Sequence, residues 1–228
     1  MHLSNFQWWI YASGRWANHF NNARVLEIGS YSINGTIRPI FRNCDYTGLD
    51  WRPGPYVDIV SLAHEFKWDK TAPFDAIVSA SMLEHDPYWE SSLRNVIPML
   101  DSEHGALFLS WGSADNPRHC APECPDYEEA KKKNEHMTLH HALPAWNVVD
   151  LLLSMGFVIQ EFRYEDDMPF NQHLYDGFIL PGCRHSKAEA RCPVTCKGGV
   201  CLVAFANDSF VKSPVFIDKY KGGDIREV

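Results

Sequence analysis

The chain has no apolar run of about eighteen residues, so no segment is built to cross a bilayer as a helix. Its start shows no succession of charged, apolar and small residues, the order of a secretory leader. A cytoplasmic protein with reduced cysteines is therefore expected. A basic stripe is also missing. Lys and Arg number 21 against 29 Asp and Glu, a net charge of −8, which excludes an affinity built on neutralising phosphates. The one dense cationic run, Lys131-Lys132-Lys133, is bracketed by Glu128, Glu129 and Glu135, as on a solvated helix face. Neither a membrane nor a nucleic acid is an expected partner. Internal repeats and low-complexity tracts are absent too.

What is present is ample apolar material: 45% hydrophobic and 13% aromatic residues, eight of them Trp. At 228 residues this suits one α/β domain and is short for two. Ser4-Asn5-Phe6-Gln7 has the form of a capping box, and Phe6, Trp9, Ile10, Trp16, Ala17 and Phe20 follow at helical spacing. The spacing predicts a helix over residues 5–20 with a break near Gly14, packed on the domain or capping it. Strand and helix then alternate, which implies a parallel sheet covered on both faces. Expected strands are 24–28, 46–49, 56–60, 74–79, 106–110, 157–164 and 200–206. Expected helices run from Asn34-Gly35-Thr36 to Phe41, from Pro87 to Leu100, and from Leu139 to Met155, stopped by Gly156. The domain spans 24–211, with polar, cysteine-rich insertions at 112–137 and 165–199 and a tail at 212–228.

The run Val25-Leu26-Glu27-Ile28-Gly29-Ser30 carries the most chemistry. An apolar strand entering a glycine turn is the usual approach to a nucleotide-type cofactor, and the acid narrows which one. A dinucleotide sets its pyrophosphate on such a turn, and a carboxylate beside it repels it by several kcal/mol in a partly buried site. An ammonium or sulfonium group is attracted instead. Asp50 follows twenty-three residues after Glu27, at the end of the second strand, as an acceptor for a ribose diol should. Trp51 beside it offers an apolar face to a base.

With these residues the chain resembles the class I S-adenosylmethionine-dependent methyltransferases. The matching stretches are Val25–Gly29, Tyr46–Asp50, Val57–Glu65 and Phe74–His85, with weaker agreement from Ala106 to Ala206. The resemblance implies a doubly wound, Rossmann-like sheet of seven strands, the last antiparallel and inserted between the fifth and sixth. It implies S-adenosylmethionine as cofactor, with Glu27, Gly29 and Ser30 at the methionine moiety, Asp50 and Trp51 at the ribose and base, and Ala63 and His64 flanking adenine. Two positions depart from the family pattern. The loop reads Gly29-Ser30-Tyr31-Ser32-Ile33-Asn34-Gly35 in place of Gly-x-Gly-x-Gly, and Leu62 stands where many relatives carry an acid for the adenine amino group.

Leu83-Glu84-His85-Asp86 looks like the Leu-Glu-His hallmark of the small-molecule and glycan branch. A hydroxyl acceptor must lose a proton during transfer, and His85 is the first candidate base. Alternatively, Glu84 and His85 orient the loop or cap the following helix. Glu84, Trp89, Trp111, His140 and His141 are candidates for the acceptor site, with His136 a weaker one. The expected activity is O-methylation of a small molecule or sugar. The alternatives are a non-catalytic S-adenosylmethionine-binding or assembly module and a protein or nucleic-acid methyltransferase. Asp86-Pro87-Tyr88-Trp89 has one proline where the Asp-Pro-Pro-Tyr motif of nucleic-acid amino-methyltransferases has two. Tyr127 and Lys131 mimic a short-chain dehydrogenase pair inside a polar insertion. Cys183, Cys192, Cys196 and Cys201, and separately His119, Cys120 and Cys124, leave two readings open. One is a structural zinc, without the paired knuckles of common sites, and the other is reduced surface thiols. Cys44 is expected in the core.

Overall fold

Short apolar runs bounded by polar turns form the strands. A computed structural model describes residues 3–33, 35–68, 72–112, 128–129, 132, 137, 139–141, 143–164 and 199–206. In it, β1 (Arg24–Ile28), β2 (Asp45–Asp50), β3 (Ile59–Val60), β4 (Ala76–Ala80), β5 (Ala106–Gly112), β6 (Val158–Tyr164) and β7 (Gly199–Phe205) join in one sheet. The order is β3-β2-β1-β4-β5-β7-β6. Strands β1 to β5 run parallel, and β7 is antiparallel to both β5 and β6. The expected doubly wound sheet, with its last strand inserted antiparallel, is the observed one.

Side chains alternate across each strand and so divide the core in two. Leu26, Ile28, Ile77, Leu107, Leu109, Leu202 and Ala204 face α2 (Trp89–Val96) and α3 (Ala145–Ser154), against Leu93, Val96, Val148 and Leu152. Val25, Val78, Phe108, Val203 and Phe205 face α1 (Leu3–Arg15), which buries Trp8, Trp9 and Ala12. Helix α1 is fastened as well as packed. The Trp8 indole and the Tyr11 hydroxyl donate to the two carboxylate oxygens of Glu161 on β6, at 3.3 and 3.1 Å, and Arg163 pairs with that carboxylate at 2.9 Å. The first helix is thus part of the domain wall.

Prolines explain most of the shortened elements. Pro39 removes a donor where a helix to Phe41 was expected, and only a 3-10 turn forms, Arg38–Ile40. Pro98 likewise ends α2 at Val96 and leaves a 3-10 turn, Ile97–Met99. Pro144 caps α3, so its helix begins at Ala145 and not at Leu139; the residue before a proline resists helical geometry. The first helix stops at Arg15, close to Gly14, and a 3-10 turn Ala17–His19 follows. Strand β3 shrinks to two residues because Pro53, Gly54 and Pro55 hold the approach to it as a turn.

Among the described residues no helix is long and apolar enough to cross a membrane. Most of the 112–137 insertion, nearly all of the 165–199 insertion and the tail lie outside the described residues. So do His136, His119, Tyr127, Lys131 and every cysteine except Cys44 and Cys201. Cys44 is half-buried at the core margin, and Cys201 is fully buried in β7.

Candidate functional site

The strand order reverses at β1, whose neighbours are β2 on one side and β4 on the other, and a crevice opens beyond the carboxyl ends of those strands. Gly29, Leu49, Asp50, Trp51, Ser61, Ala63, Met82, Asp86 and Met137 line a shallow, open cleft there. Four sequence candidates from three separate segments therefore meet: Gly29, Asp50, Trp51 and Ala63. The cleft wall adds Met82 and Asp86 from the turn after β4. Sequence reading passed over them, although Asp86 closes the Leu-Glu-His-Asp run.

Gly29 is required at its place. Its φ of +82° is left-handed, and a Cβ there would sit 2.4 Å from the Cβ of Met82. The turn that follows is not an anion cradle. The amides of Gly29 and Ser30 both donate to the Leu49 carbonyl, at 2.8 and 3.1 Å, that of Tyr31 to the Asp50 carboxylate at 3.1 Å, and that of Ser32 to Pro55 at 3.3 Å. The lengthened loop is thus folded down onto the segment after β2, where the Tyr31 ring fills the space beside Gly54 and the Arg52 guanidinium lies over it, 4.2 Å from its centroid. Four successive amides are spent internally. A pyrophosphate would find no free donor among them and, among the described residues, no α-helix N-terminus behind them.

Asp50 is buried and held by the amides of Tyr31 and Arg52, one on each oxygen. The Trp51 amide also faces this carboxylate. Burial raises its pKa, and these amides together with the Arg52 charge offset part of the rise. Trp51 is 41% exposed at the cleft mouth, with the Arg52 guanidinium over its ring, 5.4 Å from the centroid.

Glu27 needs correction as a direct cleft residue. Its side chain shares a sheet face with Val25 and Tyr46, is buried, and is not part of the cleft lining. The Tyr46 hydroxyl donates to it at 2.8 Å. Burial pushes its pKa from 4.5 to about 7, against the pull of Tyr46 and Arg38. Near neutrality it is therefore only partly charged, so the repulsion of a pyrophosphate rests more on the spent amides than on this acid. Ser30 is also buried, and its hydroxyl has no hydrogen-bond partner among the described residues.

Of the acceptor candidates, two come together and two are withdrawn. The His85 and His140 rings meet edge to face, centroids 6.0 Å apart, with His140 fully covered. Both histidines at 140 and 141 precede α3, and the His141 amide donates to the Glu84 carbonyl at 2.5 Å. The Glu84 carboxylate is buried and accepts the Gly112 amide at 2.9 Å, joining the ends of β4 and β5; it is not offered to a substrate. Trp111 is wholly inside the core with Leu109 and Leu143 and forms no pocket wall. Trp89 is half-buried at the head of α2. His64 leans on Tyr88, ring centroids 4.5 Å apart, at the edge of the cleft. Among the described residues no cluster of three or more His, Cys, Asp or Glu could hold a metal ion, and Cys201 faces the core.

No protein-family model matches the chain, and no curated protein matches it in sequence. Solved structures do match its fold. A Burkholderia thailandensis 1,6-didemethyltoxoflavin-N1-methyltransferase, solved with 1,6-didemethyltoxoflavin and S-adenosylhomocysteine, aligns over 89% of this chain and 77% of its own, with a TM-score of 0.55 at 13% identity. The fold is that of the S-adenosylmethionine-dependent methyltransferases. One such enzyme from Mesorhizobium loti covers 82% of this chain and 92% of its own, with a TM-score of 0.51 at 12% identity. A putative one from Listeria monocytogenes covers 85% and 97%, also with a TM-score of 0.51, at 14% identity.

Proposed function

We propose that this protein transfers a methyl group from S-adenosylmethionine to a small-molecule or sugar hydroxyl. The observation that carries the reading is the convergence of Gly29, Asp50, Trp51 and Ala63 on one cleft at the switch point of a methyltransferase-type sheet. Asp50 takes the ribose diol, Trp51 packs on the base, and Gly29 admits the methionine arm beside Met82. Glu27, Ser30 and His64 support the site from behind these residues. The cofactor supplies an electrophilic methyl carbon on a sulfonium and leaves as a neutral thioether.

Alignment is the first duty of such a site, and a hydroxyl acceptor adds proton removal. His85 takes that proton in this reading, with the covered His140 ring fixing its orientation. Trp89 and His141 border the acceptor.

Titration calorimetry with S-adenosylmethionine, S-adenosylhomocysteine and NAD tests the cofactor: the first two should bind and NAD should not. Tight binding of NAD alone sinks the reading. The spent amides after Gly29 favour one second reading, a module that binds the cofactor without turning it over. Binding with no turnover against hydroxyl, amine and carboxyl acceptors would establish that alternative. Supplying labelled methyl donor to a cell extract with the protein would identify the acceptor class.

A further inference from the structure

The side chains of the loop after Gly29 need room, and two glycines on the neighbouring segment supply it. A Cβ at Gly48 would sit 2.8 Å from the Ser30 hydroxyl oxygen, and one at Gly54 would sit 1.9 Å from the Tyr31 ring. Neither glycine has a left-handed φ, so close approach is what both positions require.

Tyr31 is then held from a second side chain. The Arg52 guanidinium stands 4.2 Å from its ring centroid and 5.4 Å from that of Trp51, both within reach of cation–π attraction, to which a planar guanidinium is well suited. The Ser32 amide, bonded to the Pro55 carbonyl at 3.3 Å, stitches the same two loops together through the main chain. Asp50 is gripped by both loops. One of its carboxylate oxygens accepts the Tyr31 amide at 3.1 Å, and the other accepts the Arg52 amide at 3.3 Å. The two residues that hold the carboxylate are thus the two whose side chains stack. Asp50 and Trp51 line the cleft, whereas Tyr31, Arg52 and Gly54 do not. The stack acts on the carboxylate from outside the cleft.

We propose that Tyr31, seated beside Gly54 and stacked with Arg52, is a positioning residue that sets the Asp50 carboxylate for the ribose diol. This rests on the S-adenosylmethionine reading above. Hydrogen bonds weaken steeply with misalignment, so a carboxylate that slips with its amides loses its advantage for a diol. The rest of the ligand binds as before. Selectivity for the sugar is then written in residues that never touch it.

Titration calorimetry on the full chain compares S-adenosylhomocysteine with its analogue bearing hydrogen in place of both ribose hydroxyls. Wild type should prefer the diol by about 10- to 100-fold. Tyr31→Ala keeps the amide but loses the ring, and should cut that preference by about fivefold or more. Gly54→Ala drives the ring from its seat and should do the same, which covers poor folding of either variant. In the Tyr31→Ala background Gly54→Ala should add nothing, because both act through one ring. Tyr31→Phe keeps the ring and should keep the preference. A merely structural stack would weaken both ligands equally and leave the ratio alone. An undiminished ratio in both Tyr31→Ala and Gly54→Ala overturns the proposal, as does a lost preference in Tyr31→Phe. If wild type binds the two ligands equally, the diol lies elsewhere and the proposal falls while the cofactor reading stands. If wild type binds neither, the cofactor reading falls with it.

Discussion

The Tyr46 hydroxyl donates a 2.8 Å hydrogen bond to the Glu27 carboxyl across two adjacent parallel strands, on the face away from α2 and α3. Tyr46 is in turn capped by the Arg38 guanidinium, 4.9 Å from its ring centroid, and Arg38 pairs with Asp58 at 3.0 Å. A buried acid is thus embedded in a chain of partners that ends at the surface.

This acid makes stability depend on pH. Its folded pKa of about 7 lies above the ordinary 4.5, so the folded state holds the proton more tightly than the unfolded one. The resulting stabilisation is complete below about pH 4.5 and drains away as pH rises to about 7. Glu27→Gln keeps the shape and an acceptor for Tyr46 without that loss. Denaturant melts should show the variant more stable than wild type at pH 8, by at most roughly 3 kcal/mol, and equal at pH 4. Parallel stability curves across that range would remove the buried acid from the account.

Asp50→Ala should weaken S-adenosylhomocysteine by about 10- to 100-fold, the loss of one or two charge-assisted hydrogen bonds. Asp50→Asn should fall between, because one amide oxygen can still accept. The measurement is a titration at constant ionic strength. An Ala variant that binds like wild type means that the diol lies elsewhere.

His85→Ala should lower kcat by about a hundredfold once the acceptor is known, with cofactor affinity unchanged. Loss of the limb of the pH–rate profile that rises toward neutrality would mark the histidine as the base. A profile that keeps its shape assigns it to positioning only.

Glu161 sits between Trp8, Tyr11 and Arg163. Replacing it by Ala removes one carboxylate from the buried Arg163 and two acceptors from α1, and should cost about 2–4 kcal/mol. Paired replacement, Glu161→Leu with Arg163→Met, should recover most of that loss. Thermal melts decide it, and a single variant as stable as wild type would mean that the Glu161 contacts do not hold α1.

The sheet was legible because its strands are apolar runs with turn residues at their ends, and Val25 to Gly29 and Tyr46 to Asp50 needed no context. The cleft was legible where a strand end fixes a residue's position, as at Gly29, Asp50 and Ala63. Helix limits failed where a periodic pattern outvoted a proline, at Pro39, Pro98 and Pro144. Side-chain direction was the harder part. Glu84, in the turn after β4, and Trp111, at the end of β5, turn inward, because the Gly112 amide claims one and the apolar layer the other. Glu27 was read as a charge, and only its burial reveals how much of that charge is lost. Asp86 was hidden in a motif whose histidine drew the attention.

Trp8 bonds to a residue 153 positions further along the chain, and Trp9 to Ser110 on β5. The first helix can therefore take its final place only after β5 and β6 exist. Emerging from a ribosome, it would wait with two tryptophans exposed for most of synthesis, a long-range closure of the kind that slows folding. The two ends of the described structure are assembled together, as the last step that makes the domain whole.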